Sequence, residues 1–211
     1  AEEQCNLLGV NFSTISIKDV DNAINNTLKQ RFDGLSRDIT EENIQARARG
    51  LLLMSISNKT GKILLTTGNK SELAVGYSTL YGDMSGSFAP LKDIYKTDVY
   101  NLAKFRNKIS RIIPEGVIER LPTAELAQDQ YDIDTLPQYD ILDKILKAFI
   151  EEKKSLSEIC GLGFEKSLVS NVINMVIRNE YKRRQYAPGV KVSEKSFGRD
   201  RRFPIVSRFK Y

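Results

Sequence analysis

The sequence predicts an α/β domain, a parallel sheet with crossover helices followed by a mostly helical C-terminal part. Three observations carry that prediction. The apolar run Ile63-Leu64-Leu65 rises out of a Gly61-Lys62 turn and stops abruptly in Thr66-Thr67-Gly68-Asn69, as a strand does at the carboxyl edge of a parallel sheet. A short helical segment with Glu72 and a loop rich in small residues, Tyr81-Gly82-Asp83-Met84-Ser85-Gly86, come next. Helix and strand patterns alternate through the first half, and 211 residues with 41% apolar content suffice for one well-buried domain.

The elements follow in order. Ala1 to Leu8 reads as a helix feeding a first strand at Asn11 to Ile17, where apolar and small polar residues alternate. Lys18 to Lys29 is a helix with Val20, Ala23, Ile24 and Leu28 inward. Asp38-Ile39-Thr40-Glu41 is a capping signal for a helix whose stripe is Ile44, Ala48, Leu51, Leu52 and Ser55, ending at Asn58 to Gly61. Lys62 to Thr67 is a second strand, expected to be buried on both faces.

Beyond it, Thr97 to Ser110 is helical, Pro114-Glu115 ends a unit, and Leu121 to Glu125 opens a loop. Asp140 to Glu152 carries Ile141, Leu142, Ile145, Leu146 and Phe149 on one stripe. Ser155 to Ile159 is a short helix, and Glu165 to Arg184 a longer one with Leu168, Val169, Val172, Ile173, Val176 and Ile177 inward. The predicted organisation is an α/β part over 1–120, a helical part over 121–189 and a basic tail over 190–211. Two strands are few for a free-standing sheet, which leads us to expect a fragment.

Composition removes several classes of chemistry. There is no histidine, so Ser-His-Asp and Cys-His sites and most zinc chemistry are excluded. Catalysis must use carboxylates, Lys, Arg, hydroxyls or a hard ion such as Mg²⁺. Cys5 and Cys160 have no CxxC spacing, and Ala1-Glu2-Glu3-Gln4 lacks the basic start and apolar middle of a signal peptide. No apolar run approaches the ~18 residues of a membrane span. The expected location is cytoplasmic. The net charge of +5 is concentrated in the last thirty residues, where ten basic residues from Lys182 to Lys210 face only Glu194 and Asp200. With Phe197, Phe203, Phe209 and Tyr211 interleaved, that segment suits nucleic acid, a phosphate-bearing small molecule or a solvated arm.

Several residues invite a chemical reading. Asn43 and Arg47 lie one helical turn apart and project from one face, suited to a carboxylate or phosphate or simply to solvent. Thr67 ends its strand, where it contacts a nucleotide or caps the next helix. Glu72 near a helix start is by position dipole-compatible surface. Lys96 at a helix N-terminus is locally unfavourable, which favours an anionic partner. Thr123 sits in a turn, and Lys182 ends a long helix, where cations are common for structural reasons.

Taken together, Glu42 to Gly50, Thr66 to Glu72, Tyr81-Gly82-Asp83, Pro122 to Leu126 and Asn179 to Gln185 resemble the motifs of NAD synthetases in the same order. Ala187-Pro188-Gly189 and Phe197-Gly198-Arg199 match the glutamine-dependent form, and the match covers about residues 1 to 208. The resemblance implies an adenine-nucleotide alpha-hydrolase-like (Rossmann-like) fold and ATP-dependent amidation of deamido-NAD through an adenylated intermediate, releasing AMP and pyrophosphate. It implies that Thr67, Lys96 and Thr123 bind ATP, that Asn43, Arg47, Glu72 and Lys182 bind deamido-NAD, and that Glu72 also binds Mg²⁺. It names no catalytic residue.

The family's Ser-Gly-Gly-x-Asp-Ser ATP loop and its glutaminase domain have no counterpart in the 211 residues. Leu80 and Ser87 stand where the ammonia-dependent enzymes have Lys and Asp. The expectation is therefore a partial synthetase domain that amidates deamido-NAD poorly by itself, because a lost pyrophosphate cradle costs about 10²–10³ in rate per donor. The resemblance also implies ammonia, free or glutamine-derived, as co-substrate, and a homo-oligomer, with no nucleic-acid or membrane partner. A non-catalytic nucleotide- or partner-binding remnant and, last, a nucleic-acid-binding module are the other classes.

Overall fold

The computed structural model describes residues 1–206 apart from 121, 123–131 and 133–134. Its elements in chain order are α1 (Glu2–Leu8), α2 (Lys18–Leu28), α3 (Ile39–Thr60), α4 (Lys70–Val75), α5 (Lys96–Ile109), α6 (Glu115–Glu119), α7 (Tyr139–Ile150), α8 (Leu156–Cys160), α9 (Lys166–Arg178) and α10 (Glu180–Arg183). None of the described helices is long and apolar enough to cross a membrane. Residue 123, expected to contact ATP, lies outside the described residues.

The core sits in the second half. Leu142, Ile145, Leu146 and Ile150 of α7 meet Ile159 of α8 and Val169, Val172, Ile173 and Val176 of α9, all at 1% exposure or less. Apart from Ile150 and Ile159, these belong to the stripes that the 3.6-residue period predicts, and each such side chain withdrawn from water contributes roughly 1.5–3 kcal/mol. Leu73, Ala74 and Val75 of α4 join the same cluster, so this short helix is carried on the core. Asp38 and Glu41 form the expected capping box on α3.

The predicted sheet does not form among the described residues. Asn11 to Ile17 has no regular structure, and Phe12 and Ile15 are exposed. Lys62 to Thr67 makes one parallel bridge, Leu65 to Phe88, with the Thr66 amide donating to the Phe88 carbonyl at 3.0 Å and the Ser87 amide to the Leu64 carbonyl at 2.9 Å. Ile63 and Leu65 are exposed, so burial on both faces is not realised. The physical reason is that a strand is defined by neighbours. Its backbone donors and acceptors need a partner on each side, and here one side has a two-residue partner and the other none that is described. Helical stripes are also narrower than expected. Ala23 of α2 and Leu51 and Ser55 of α3 are exposed, because α3 buries only the part between Ile44 and Gly50.

The described part of the basic C-terminal segment, up to residue 206, packs into the body. Phe197 and Phe203 are buried in the main cluster, and Phe203 stacks on Phe149 with ring centres 5.8 Å apart. The Arg183 guanidinium lies 4.6 Å from the Phe197 ring, and that of Arg201 4.8 Å from the Phe203 ring. Two of the positive charges are thus held on aromatic faces instead of being displayed. A buried cation pins the same segment. Lys70 Nζ, wholly inaccessible, donates to Glu151 Oε1 at 2.8 Å, Ser193 Oγ at 2.6 Å and the Lys195 carbonyl at 2.8 Å, with Asp93 Oδ1 at 3.2 Å. Asp93 in turn accepts the amides of Val192 and Ser193 at 2.8 Å each.

Candidate active site

One cavity of about 780 Å³ opens between α3, the Leu64 to Thr67 segment, α4, the loop from Gly76 to Ser85, and the α9–α10 junction. Its size is that of a cofactor or nucleotide pocket. Short α4 is the element around which it is built, and α4 is held at both ends by residues remote in sequence.

At its N-terminus, Asn69 Oδ1 accepts the Glu72 amide at 3.0 Å and Glu72 Oε2 accepts the Asn69 amide at 3.2 Å, a second capping box. The other carboxylate oxygen of Glu72 meets Lys96 Nζ at 3.0 Å. Burial alone would lower the Lys96 ammonium pKa, but the Glu72 charge and hydrogen bond prevail and raise it above the ordinary lysine value. The Lys96 amide donates to Ser71 Oγ, and Ser71 Oγ donates to the buried Asp143, which also accepts from Thr97. This chain of bonds fixes the start of α5 against the start of α4.

At its C-terminus, α4 turns through Gly76 at φ 73°, a left-handed conformation that glycine adopts without strain. The carbonyls released there are taken by three side chains of the α9–α10 junction. Asn179 donates to Val75 O at 2.8 Å, Lys182 to Gly76 O and Ser78 O at 2.7 Å each, and Arg183 to Ala74 O at 2.7 Å. Burial lowers the Lys182 pKa, partly offset by Asp83 nearby. Burial raises the Asp83 carboxyl pKa, against the opposing bond from the Thr79 amide.

The residues singled out from sequence distribute as follows. Asn43, Thr67, Glu72 and Lys182 line this one cavity. Asn43 Oδ1 accepts Thr79 Oγ1 at 2.8 Å, which ties α3 to the loop after α4. Lys96 reaches the wall through Glu72. Arg47 is exposed, off the cavity wall, and its Nε donates to the Leu80 carbonyl at 3.2 Å. On this face of α3 it is Arg49 that lines the cavity, together with Ala46, Gly50 and Leu53.

Sequence reading did not single out Thr66, Asn179 or Arg49. Thr66 is buried, with Oγ1 donating to Asp83 O at 2.8 Å. Asn179 and Arg49 stand in motifs already marked, and the register of the helices would have separated cavity-facing from brace positions. Among the described residues no group of three or more carboxylates or thiols gathers to hold a metal. A Mg²⁺ ion needs only one or two protein carboxylates when substrate phosphates complete its shell, and Glu72 at the cavity wall meets that requirement.

Comparison with known proteins gives this arrangement its context. The family model described as NAD synthase matches residues 1–186. The glutamine-dependent NAD(+) synthetase of Acinetobacter baylyi is 56% identical over 209 residues, covering 98% of this chain and 39% of that protein. Its counterpart in Thermotoga maritima is 51% identical over 205 residues, covering 96% of this chain and 36% of the relative. The chain therefore spans well under half the length of the curated relatives that it matches. Among solved structures, the glutamine-dependent NAD+ synthetase of Acinetobacter baumannii, in complex with ADP, aligns over 97% of this chain and 36% of its own, with 50% identity and a TM-score of 0.56. The NH3-dependent NAD synthetase of Campylobacter jejuni aligns over 84% of this chain and 65% of its own, with 27% identity and a TM-score of 0.63. On these grounds, the chain belongs to the NAD synthase family.

Proposed function

We propose that this chain forms the synthetase portion of an enzyme that amidates deamido-NAD to NAD with ATP. The observation that carries the reading is the convergence on one cavity of Asn43, Thr67, Glu72 and Lys182, drawn from segments up to 139 positions apart. In the reaction, an oxygen of the nicotinate carboxylate attacks the α-phosphorus of ATP and pyrophosphate leaves. Ammonia then attacks the acyl carbon of the adenylate, AMP departs, and the amide remains after loss of a proton.

In this reading Thr67 and Lys96 contact ATP, and Asn43, Glu72 and Lys182 contact deamido-NAD. Arg47 braces the Leu80 loop and reaches the dinucleotide only by swinging from its present partner. Thr123 keeps its role as an expectation from the resemblance. Glu72 would hold Mg²⁺, which would supply charge neutralisation for the departing pyrophosphate. Lys182 spends two donors on carbonyls, leaving a third for a substrate oxygen. The names of the relatives support glutamine as the ammonia source and, with both cysteines free, a reducing compartment such as the cytoplasm fits. Exposed Ile63 and Leu65 beside the cavity support self-association.

The test is NAD formation from deamido-NAD, ATP, Mg²⁺ and ammonia or glutamine by the protein at its full natural length. Glu72→Gln should cut turnover by at least about tenfold while shifting thermal unfolding little. Full activity in that variant, with a large loss of stability, would show Glu72 to be a helix cap and nothing more.

A further inference from the structure

Tyr186 belongs to the C-terminal segment, and neither the sequence reading nor the proposed reaction gives it a task. Its hydroxyl lies 3.1 Å from Thr66 Oγ1. The single proton of Thr66 Oγ1 is already directed at the Asp83 carbonyl, which can only accept, so Tyr186 is the donor to Thr66. The backbone amide of Gly68 faces the same phenol oxygen. A Cβ at position 68 would stand well inside van der Waals contact of Tyr186 Oη. One hydroxyl thus grips both ends of the Thr66-Thr67-Gly68 turn and, through Thr66, binds it to the Tyr81–Gly86 loop.

The ring itself is held from behind. Lys92 Nζ lies 5.6 Å from its centre and donates to the Ala187 carbonyl at 2.7 Å, and the Ala89 amide donates to the Pro188 carbonyl at 2.8 Å. Burial raises the phenol pKa, so the hydroxyl remains a donor at neutral pH.

We infer that Tyr186 is a positioning residue for the nucleotide turn: its hydroxyl, held between Thr66 and Gly68, sets where the intervening Thr67 meets ATP. The inference rests on the proposed synthetase reading, in which this turn contacts ATP. It predicts an effect on one substrate. Tyr186→Phe in the full-length protein should raise KM for ATP on the order of 3- to 10-fold, the consequence of one lost hydrogen bond, and leave KM for deamido-NAD within about 2-fold. The melting temperature should stay within about 4 °C.

A size-complementation pair tests the geometry directly. Gly68→Ala should raise the ATP KM further than Tyr186→Phe does, and Gly68→Ala/Tyr186→Phe should recover most of the way to the level of Tyr186→Phe, because the colliding oxygen is gone and the ring carbon behind it makes only a tight contact. An unchanged ATP KM in Tyr186→Phe overturns the inference, as does an equal rise for both substrates in step with lost stability. Gly68→Ala being equally harmful in both backgrounds also overturns it. ATP titrated into the wild-type protein separates the levels. Binding there with unaltered affinity in Tyr186→Phe defeats the positioning role alone, and no binding in the wild type defeats the parent reading with it.

Discussion

Replacing Lys70 with methionine is the sharpest perturbation of the frame beneath the site. Methionine keeps the unbranched stem and its packing but removes the charge. Lys70 is inaccessible, and the side chains of its partners Asp93 and Glu151 are 2% and 9% exposed. The variant therefore leaves two buried carboxylates without their cation. Breaking a buried pair from one side costs about 3–5 kcal/mol, even though the intact pair adds little beyond what well-packed apolar groups would give. At about 2–4 °C per kcal/mol for a chain of this size, the melting temperature should fall by roughly 6–20 °C. Asp93 adds a pH signature. Burial would raise its carboxyl pKa, but the Ser193 and Val192 amides and the Lys70 charge together hold it below the ordinary value of 3.8. Its contribution is complete above that value and is lost as pH falls through the lower folded one. Without Lys70 the depression shrinks, so acid unfolding should move to higher pH. Urea unfolding at neutral pH, with an acid titration of both proteins, measures each effect. A loss below about 1 kcal/mol with an unmoved acid midpoint would refute the reasoning, because it would mean that the carboxylates do not depend on Lys70.

Phe203→Ala should cost about 3–5 kcal/mol by urea unfolding, since it empties a site stacked on Phe149 and strips Arg201 of an aromatic face. Gly76→Ala should cost more than about 1 kcal/mol, because φ 73° strains any Cβ and Asn179, its own Cβ included, occupies the space; Asn179→Gly in the same background should relieve the collision but not the strain. Lys96 carries a raised pKa in the folded state, so its contribution is full below the ordinary value of 10.5 and is lost as pH rises through the folded one. Lys96→Gln should accordingly flatten the alkaline limb of the stability profile, by about 1 kcal/mol or less for a partly exposed pair.

How much of this was legible in the sequence depended on how far apart the interacting groups lie. The stripes of α7 and α9 were readable because one face packs against one core and the repeat is local. The Asp38–Glu41 box was readable because it spans four residues. A strand is a relation between segments, and among the described residues Leu65 bridges to Phe88 alone, so an apolar run with a sharp end predicts more sheet than those residues form. Thr67 and Glu72 stand in one continuous stretch, and both line the cavity. The bond from Thr66 to Tyr186 crosses 120 positions and leaves no periodic trace. Nothing in the sequence marks Lys70 as buried; only the fold reveals the carboxylates that take its charge.

The charges around the cavity bear on how a polyphosphate could enter it. Among the described lining residues, Glu42, Glu72 and Asp83 oppose Arg49 and Lys182. Lys182 already serves two carbonyls, and Lys96 stands behind Glu72 in a 3.0 Å pair. A wall with more carboxylates than cations repels a bare triphosphate at a few ångströms, where screening by salt is weakest. In the proposed reading Glu72 would leave Lys96 to hold a divalent ion brought by ATP, which would supply the missing positive charge, and the freed Lys96 ammonium would face a phosphate oxygen. Nucleotide affinity of the full-length protein should then fall at least about tenfold when Mg²⁺ is removed by a chelator. In Glu72→Gln the same removal should matter much less, since the repelling carboxylate and the ion's ligand are deleted together. Equal Mg²⁺ dependence in the two proteins would mean that the ion meets the phosphates without Glu72, and the exchange of partners between Glu72 and Lys96 would have no part in binding.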